Sequence, residues 1–202
     1  MPVRADYFEV FGLPRKLGIN LDELQRRFYE LSRRVHPDFF QTATPAEQVG
    51  SLERSALINR AYRTLRDLVS RVEYLIQVEE GRETREGNTG IKPNAPTDLL
   101  EEMLEVQEAL QEARAGGLDA ATRQTLQAER ARLVERRTAE EAMLLALARE
   151  WDLVVDGNGD RNGLLDRMKQ VLATRAYLNT VINDLRETLG EDTQTNASHR
   201  RH

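Results

Sequence analysis

Cysteine is absent from the 202 residues, which excludes disulfides, thiol nucleophiles and thiolate-held zinc or iron–sulfur clusters. Aromatics make up only 5% and prolines number six, against 31% charged residues. That balance suits exposed, salt-bridged helices over modest cores, so the expectation is an all-α protein. Basic charge is also in deficit: the formal net charge of −5 argues against nucleic acid as the main partner. Long apolar runs are missing, with none near the roughly 20 residues that cross a bilayer. The opening Met1-Pro2-Val3-Arg4-Ala5-Asp6 has no signal-peptide layout, so no membrane association and a cytoplasmic location are expected.

What is present is helical period. Asp6 to Pro14 reads as a short helix capped by Asp6, ended by Gly12 and blocked from resuming by Pro14, with Tyr7, Phe8 and Phe11 to bury. Leu21, Leu24, Phe28, Leu31 and Val35 then recur at spacings of three and four, one apolar stripe on a helix that Asn20 caps. A further helical pattern starts at Ala46, with Val49, Leu52, Ala56, Asn59, Tyr62 and Leu65 on one face, so the two helices are expected to pack as an antiparallel hairpin. Helical period continues from Leu68 to Val78.

Residues 81–97 change character, being rich in glycine and proline with Ile91 as the one large apolar residue, and read as a linker or long loop. Residues 98–190 read as three helices. The first starts at Asp98 and ends at Gly116-Gly117, the second runs from Leu118 or Asp119 to about Trp151, and the third follows Gly163 and stops at Gly190. Short connections favour an antiparallel three-helix bundle. The polar residues 191–202 are expected to be a disordered tail.

Two stretches point to partners. Pro37 cannot continue the first long helix, so His36 sits at its carboxyl end and Asp38 leads into a loop, with Arg26 and Arg33 opposite the apolar stripe. No nucleophile, metal-ligand cluster or glycine-rich loop accompanies the His–Asp pair, which favours a docking surface over catalysis. The bland alternative for Arg26, Arg27, Arg33 and Arg34 is a solvated face, since Glu23–Arg27 and Glu30–Arg34 have favourable four-residue spacing. On the helix beginning at Asp98, the stripe Leu99, Met103, Val106, Leu110 and Ala113 suffices for burial. Leu100 and Leu104 flank an acidic ridge of Glu101, Glu105, Glu108 and Glu112, either as an interaction patch or as the edge of a broad apolar stripe. Asp156 to Gly163 mimics only part of a calcium loop, because Arg161 and Arg167 stand where glycine and glutamate are needed, and is expected to be a turn.

His36-Pro37-Asp38 after a basic helix, followed by Ile58-Asn59-Arg60-Ala61-Tyr62-Arg63-Thr64-Leu65, resembles the J-domain of DnaJ-type co-chaperones. Leu65-Arg66-Asp67 with Arg71-Val72-Glu73-Tyr74-Leu75, the stretch Leu104 to Glu112, and Glu150-Trp151-Asp152 resemble the HscB family of iron–sulfur-assembly J-proteins. The resemblance implies a J-domain (1–80) and a three-helix bundle (98–190), usually packed as an L. It implies docking of His36, Pro37, Asp38, Arg26, Arg27, Arg33 and Arg34 on a DnaK/HscA-type chaperone ATPase. It also implies binding of an IscU-type iron–sulfur scaffold protein through Leu100, Leu104, Glu105, Glu108, Glu112 and Tyr177. Phe39 departs from the lysine or arginine that many J-domains carry there, and Glu101 from an apolar position. A monomer with no catalytic activity, cofactor or bound metal is expected. The alternatives are a J-protein with a different client and a non-catalytic helical adaptor.

Overall fold

The computed structural model describes residues 6–81, 97–157 and 159–191. Among these residues the secondary structure is helical, without strands: α1 (Tyr7–Val10), α2 (Leu21–Val35), a 3-10 turn (Pro37–Phe40), α3 (Pro45–Arg66), α4 (Leu68–Glu79), α5 (Thr97–Gly116), α6 (Ala120–Val155) and α7 (Arg161–Leu189). The side chains of Asp98 and Glu101, residues 82–96 of the expected linker and residues 192–202 of the expected tail fall outside the described residues. The chain divides into two compact units, each discontinuous in sequence. The first joins Met1–Thr89 with Leu145–Asp166, and the second joins Gly90–Leu144 with Arg167–His202.

In the first unit, short polar side chains define the helix ends. Asp6 accepts the Phe8 N–H (2.9 Å), Asn20 the Glu23 N–H (3.1 Å) and Asp67 the Ser70 N–H (2.9 Å). Thr44 and Glu47 form a reciprocal capping box at the start of α3. Asp67, extended at φ −96° and ψ 130°, separates α3 from α4. Gly12, at φ +60°, lets the chain leave α1 in a left-handed turn. α2 and α3 form the antiparallel hairpin: Phe28 stacks on Tyr62 (4.2 Å between centroids), and the Ser51 hydroxyl donates to Val35 O (2.7 Å).

Two expectations for this hairpin need correction. The pairings of 28 with 62 and 35 with 51 put Leu21 level with the end of α3, so it has no opposing turn and is 52% exposed. On α3 the residues buried are Ser51, Ile58, Ala61 and Leu65, whereas Val49, Leu52 and Ala56 face outward. Small Ser51 and Ala61 let α3 approach its neighbours closely, which larger side chains at 49 and 52 would prevent.

α4 carries the core of the unit, with Val72, Leu75 and Ile76 essentially inaccessible. Tyr74 stacks flat on Tyr7 (4.3 Å). Its hydroxyl accepts the Tyr7 N–H (2.8 Å) and donates to Asp6 (3.2 Å). Burial pushes the Tyr74 phenol well above the usual tyrosine range.

The second unit is a three-helix bundle. Arg123 bonds Leu189 O (3.1 Å), Arg137 bonds Asn179 (3.3 Å) and Arg175 bonds Glu141 (3.0 Å). Residue numbers rise along α6 as they fall along α7, so these helices are antiparallel. Val106, Leu110 and Ala113 of α5 close the core against Leu126, Leu133, Leu178, Ile182 and Leu185. Asp119 caps α6 through the Thr122 N–H (2.7 Å). α7 begins at Arg161, before Gly163, because Asp160 accepts the Gly163 N–H (3.0 Å) and acts as the cap.

Candidate partner-docking surfaces

Pro37 ends α2 as its chemistry requires, leaving His36 extended at φ −61° and ψ 127°. The chain then tightens into one 3-10 turn, so His36, Pro37 and Asp38 project from a short, hydrogen-bonded corner. The His36 and Asp38 side chains are 54% and 71% exposed and lie 3.4 Å apart. Nδ1 of His36 also lies 3.3 Å from the Asp38 N–H. Nδ1 can accept from that N–H when it carries no hydrogen or donate to the carboxylate when it carries one, but not both. Either contact orients the ring through Nδ1, on a side chain that is more than half exposed. Phe39, next in sequence, is 73% exposed and makes an edge contact with His36 (6.2 Å).

The four arginines of α2 divide. Arg26, Arg33 and Arg34 are exposed, and among the described residues no carboxylate lies within ion-pair distance of them. Arg26 and Arg33 line an open groove of about 430 Å³ with Tyr29 and Glu30. Arg27 instead turns inward. It donates to Phe11 O (2.5 Å) and Gly12 O (3.0 Å) and pairs with Glu23. Its guanidinium ties α2 to the turn after α1, so the structure does not bring it to the exposed basic face.

In the second unit, Leu104 is 62% exposed on α5, while Leu110 is 1% exposed and part of the core. Glu108 and Glu112 are exposed near it. Leu100 and Glu105 lie on the same helix, but their side chains are outside the described residues. Tyr177 is half-buried and packs against the bundle core.

Sequence reasoning missed a clasp in the first unit, built on the Arg15–Gly18 loop. The indole N–H of Trp151 donates to Arg15 O (3.1 Å). The Asp152 carboxylate accepts the N–H groups of Leu17 (2.6 Å) and Gly18 (2.7 Å), and Asp156 pairs with Lys16 (2.6 Å). From the other side, buried Arg71 donates to Leu17 O and to Leu65 O (2.6 Å). Burial lowers the Arg71 guanidinium below its ordinary range, with Asp67 and Asp152 opposing that shift. The available signals were the chain's one tryptophan, whose N–H needs an acceptor if buried, and an arginine next to the apolar run of α4.

No helix among the described residues is long and apolar enough to cross a membrane, and no cluster of potential metal ligands occurs among them. The family described as the DnaJ domain matches residues 6–74, which span α1 to α4 and the exposed corner. Two solved structures share the fold of nearly the whole chain. Chaperone HscB from Vibrio cholerae is 24% identical, with 92% of this chain and 98% of that one covered and a TM-score of 0.64. Human co-chaperone protein HscB is also 24% identical, with 93% and 83% covered and a TM-score of 0.59. Residues 6–74 thus match the DnaJ domain, and the chain shares the fold of these two HscB structures.

Proposed function

We propose that this protein is a non-catalytic co-chaperone of the HscB type. It stimulates the ATPase of a DnaK/HscA-type chaperone and delivers an IscU-type iron–sulfur scaffold protein to it. The observation that carries the reading is the His36-Pro37-Asp38 corner of a DnaJ domain, exposed at the end of a helix whose Arg26, Arg33 and Arg34 have no intramolecular ion pair among the described residues. Such cations steer association with an acidic surface, and the rigid corner then fixes register. Leu104 supports the client half: an exposed leucine beside Glu108 and Glu112 is an apolar contact with a polar rim.

Steady-state ATP hydrolysis by a DnaK-class chaperone tests the reading. The wild-type chain should accelerate it, and His36→Gln or Asp38→Asn should abolish the acceleration without changing helical content. Double replacement of Arg26 and Arg33 by Ala should flatten the salt dependence of the half-maximal concentration, because exposed charge interactions are screened within about 8–10 Å at physiological ionic strength. Stimulation that survives both corner variants would refute the trigger assignment.

A further inference from the structure

The outward face of α3 leaves an apolar surface beside the corner that the arginines do not explain. Phe39, Leu52 and Val49 are 73%, 57% and 54% exposed. Next to them a groove of about 280 Å³ is lined by Pro37, Phe40, Gln41, Gln48 and Leu52, with no charged residue among them. Its walls are fixed in advance. The Gln48 amide donates to Gln41 O and Ala43 O (3.1 Å each), the Thr44–Glu47 capping box sets the first turn of α3, and Ser51 anchors α3 to the end of α2. A preformed apolar groove loses little entropy on filling.

We infer that this groove is a second contact for the same chaperone ATPase, receiving one aliphatic or aromatic side chain of the chaperone. The inference rests on the docking reading above. Its occupant follows from continuity: Pro37 both lines the groove and stands between His36 and Asp38, so a partner docked on those two side chains reaches the edge of the groove. Its chemistry follows from charge: the lining is neutral, in contrast to the Arg26–Arg33 groove, with which it shares no residue. Phe39, placed where a cation is common in J-domains, extends the apolar patch. The docking surface thus has a salt-sensitive basic part on α2 and a salt-insensitive apolar part on the 3-10 turn and α3.

The test titrates a DnaK-class ATPase with wild type, Leu52→Gln, Phe39→Ser and His36→Gln at low and high salt. The half-maximal concentration should rise about tenfold for Leu52→Gln, as expected for losing one buried leucine contact. Maximal stimulation should be unchanged, and the rise should be equal at both salt concentrations. Phe39→Ser should shift it in the same direction. Both side chains are more than half exposed, so melting temperatures should hold. If Leu52→Gln lowers the melting temperature, Phe39→Ser, in the turn, decides. Unchanged half-maximal concentrations for both, with His36→Gln still inactive, overturn the inference and leave the docking reading standing. A wild-type chain that gives no stimulation overturns both. Sedimentation showing a wild-type dimer that Leu52→Gln dissociates would assign the patch to a second copy and also overturn the inference.

Discussion

Replacing Asp152 by alanine should destabilise the α1–α4 part of the first unit, although residue 152 lies far from it in sequence. The Asp152 carboxylate accepts two backbone N–H groups, from Leu17 at 2.6 Å and Gly18 at 2.7 Å. Hydrogen bonds to a charged group contribute about 1.5–3 kcal/mol each. Gly18 is exposed, so water replaces its bond and most of that contribution returns. Leu17 is 1% exposed, and its N–H is left without a ready substitute. Arg71 also loses one of the two carboxylates that oppose its desolvation. Together these losses amount to about 2–4 kcal/mol. At roughly 3–5 °C per kcal/mol for a unit of this size, the melting temperature should fall by about 6–20 °C. Trp151 is the sole tryptophan and is fully buried in this unit, so its fluorescence reports the transition directly. Gly18→Ala supplies an independent check, because a Cβ there would sit 2.6 Å from Asp152 Oδ2 and displace the carboxylate. The two changes should therefore be strongly non-additive: in the Asp152→Ala background, Gly18→Ala should cost little. A melting shift under about 2 °C for Asp152→Ala, or full additivity of the pair, would refute this account of the clasp.

Leu104→Ala should leave the melting temperature unchanged and weaken scaffold binding about tenfold, whereas Leu110→Ala should cost about 2–5 kcal/mol of stability; calorimetric titration and thermal melts on both variants separate the roles. Arg27→Ala should lose about 1–3 kcal/mol in urea unfolding while keeping maximal ATPase stimulation, since its bonds to Phe11 O and Gly12 O are internal. Tyr74 binds its proton more tightly folded than unfolded, so its contribution is complete below the unfolded phenol value of about 10 and is lost as pH rises above it. Tyr74→Phe should therefore be less stable than wild type at pH 8, with the gap narrowing above pH 10 in denaturant titrations.

The helices were legible in the sequence because their caps are local: Asn20 to Glu23 and Asp119 to Thr122 each close within one turn. Pro37 likewise announced both the end of α2 and the exposure of His36. Helix faces were less secure. On α3, the face read from Val49 through Leu52 and Ala56 to Leu65 turns its first three residues outward, and the helix is buried through Ser51, Ile58, Ala61 and Leu65, where small Ser51 and Ala61 allow close approach. The same error explains why the groove beside the corner was not foreseen. The spacing of Glu23 and Arg27 foretold their ion pair, but the other acceptors of Arg27 are the backbone carbonyls of Phe11 and Gly12, which carry no sequence signature. Arg71, Trp151 and Asp152 were unreadable as a group because their common target, the Arg15–Gly18 loop, lies up to 136 residues away in sequence.

That separation also bears on biosynthesis. The contacts that present the docking corner are short in sequence, with Ser51 reaching Val35 across 16 residues, so the α2–α3 hairpin can close soon after it leaves the ribosome. The clasp cannot, because Asp152 follows Leu17 by 135 residues. At about 5–20 residues per second, its second half arrives on the order of 10 s later. Closing a loop of that length also costs roughly 2 kcal/mol more than closing one of 15 residues. The nascent chain thus carries a completed His36–Asp38 corner on a unit whose brace has yet to be synthesised.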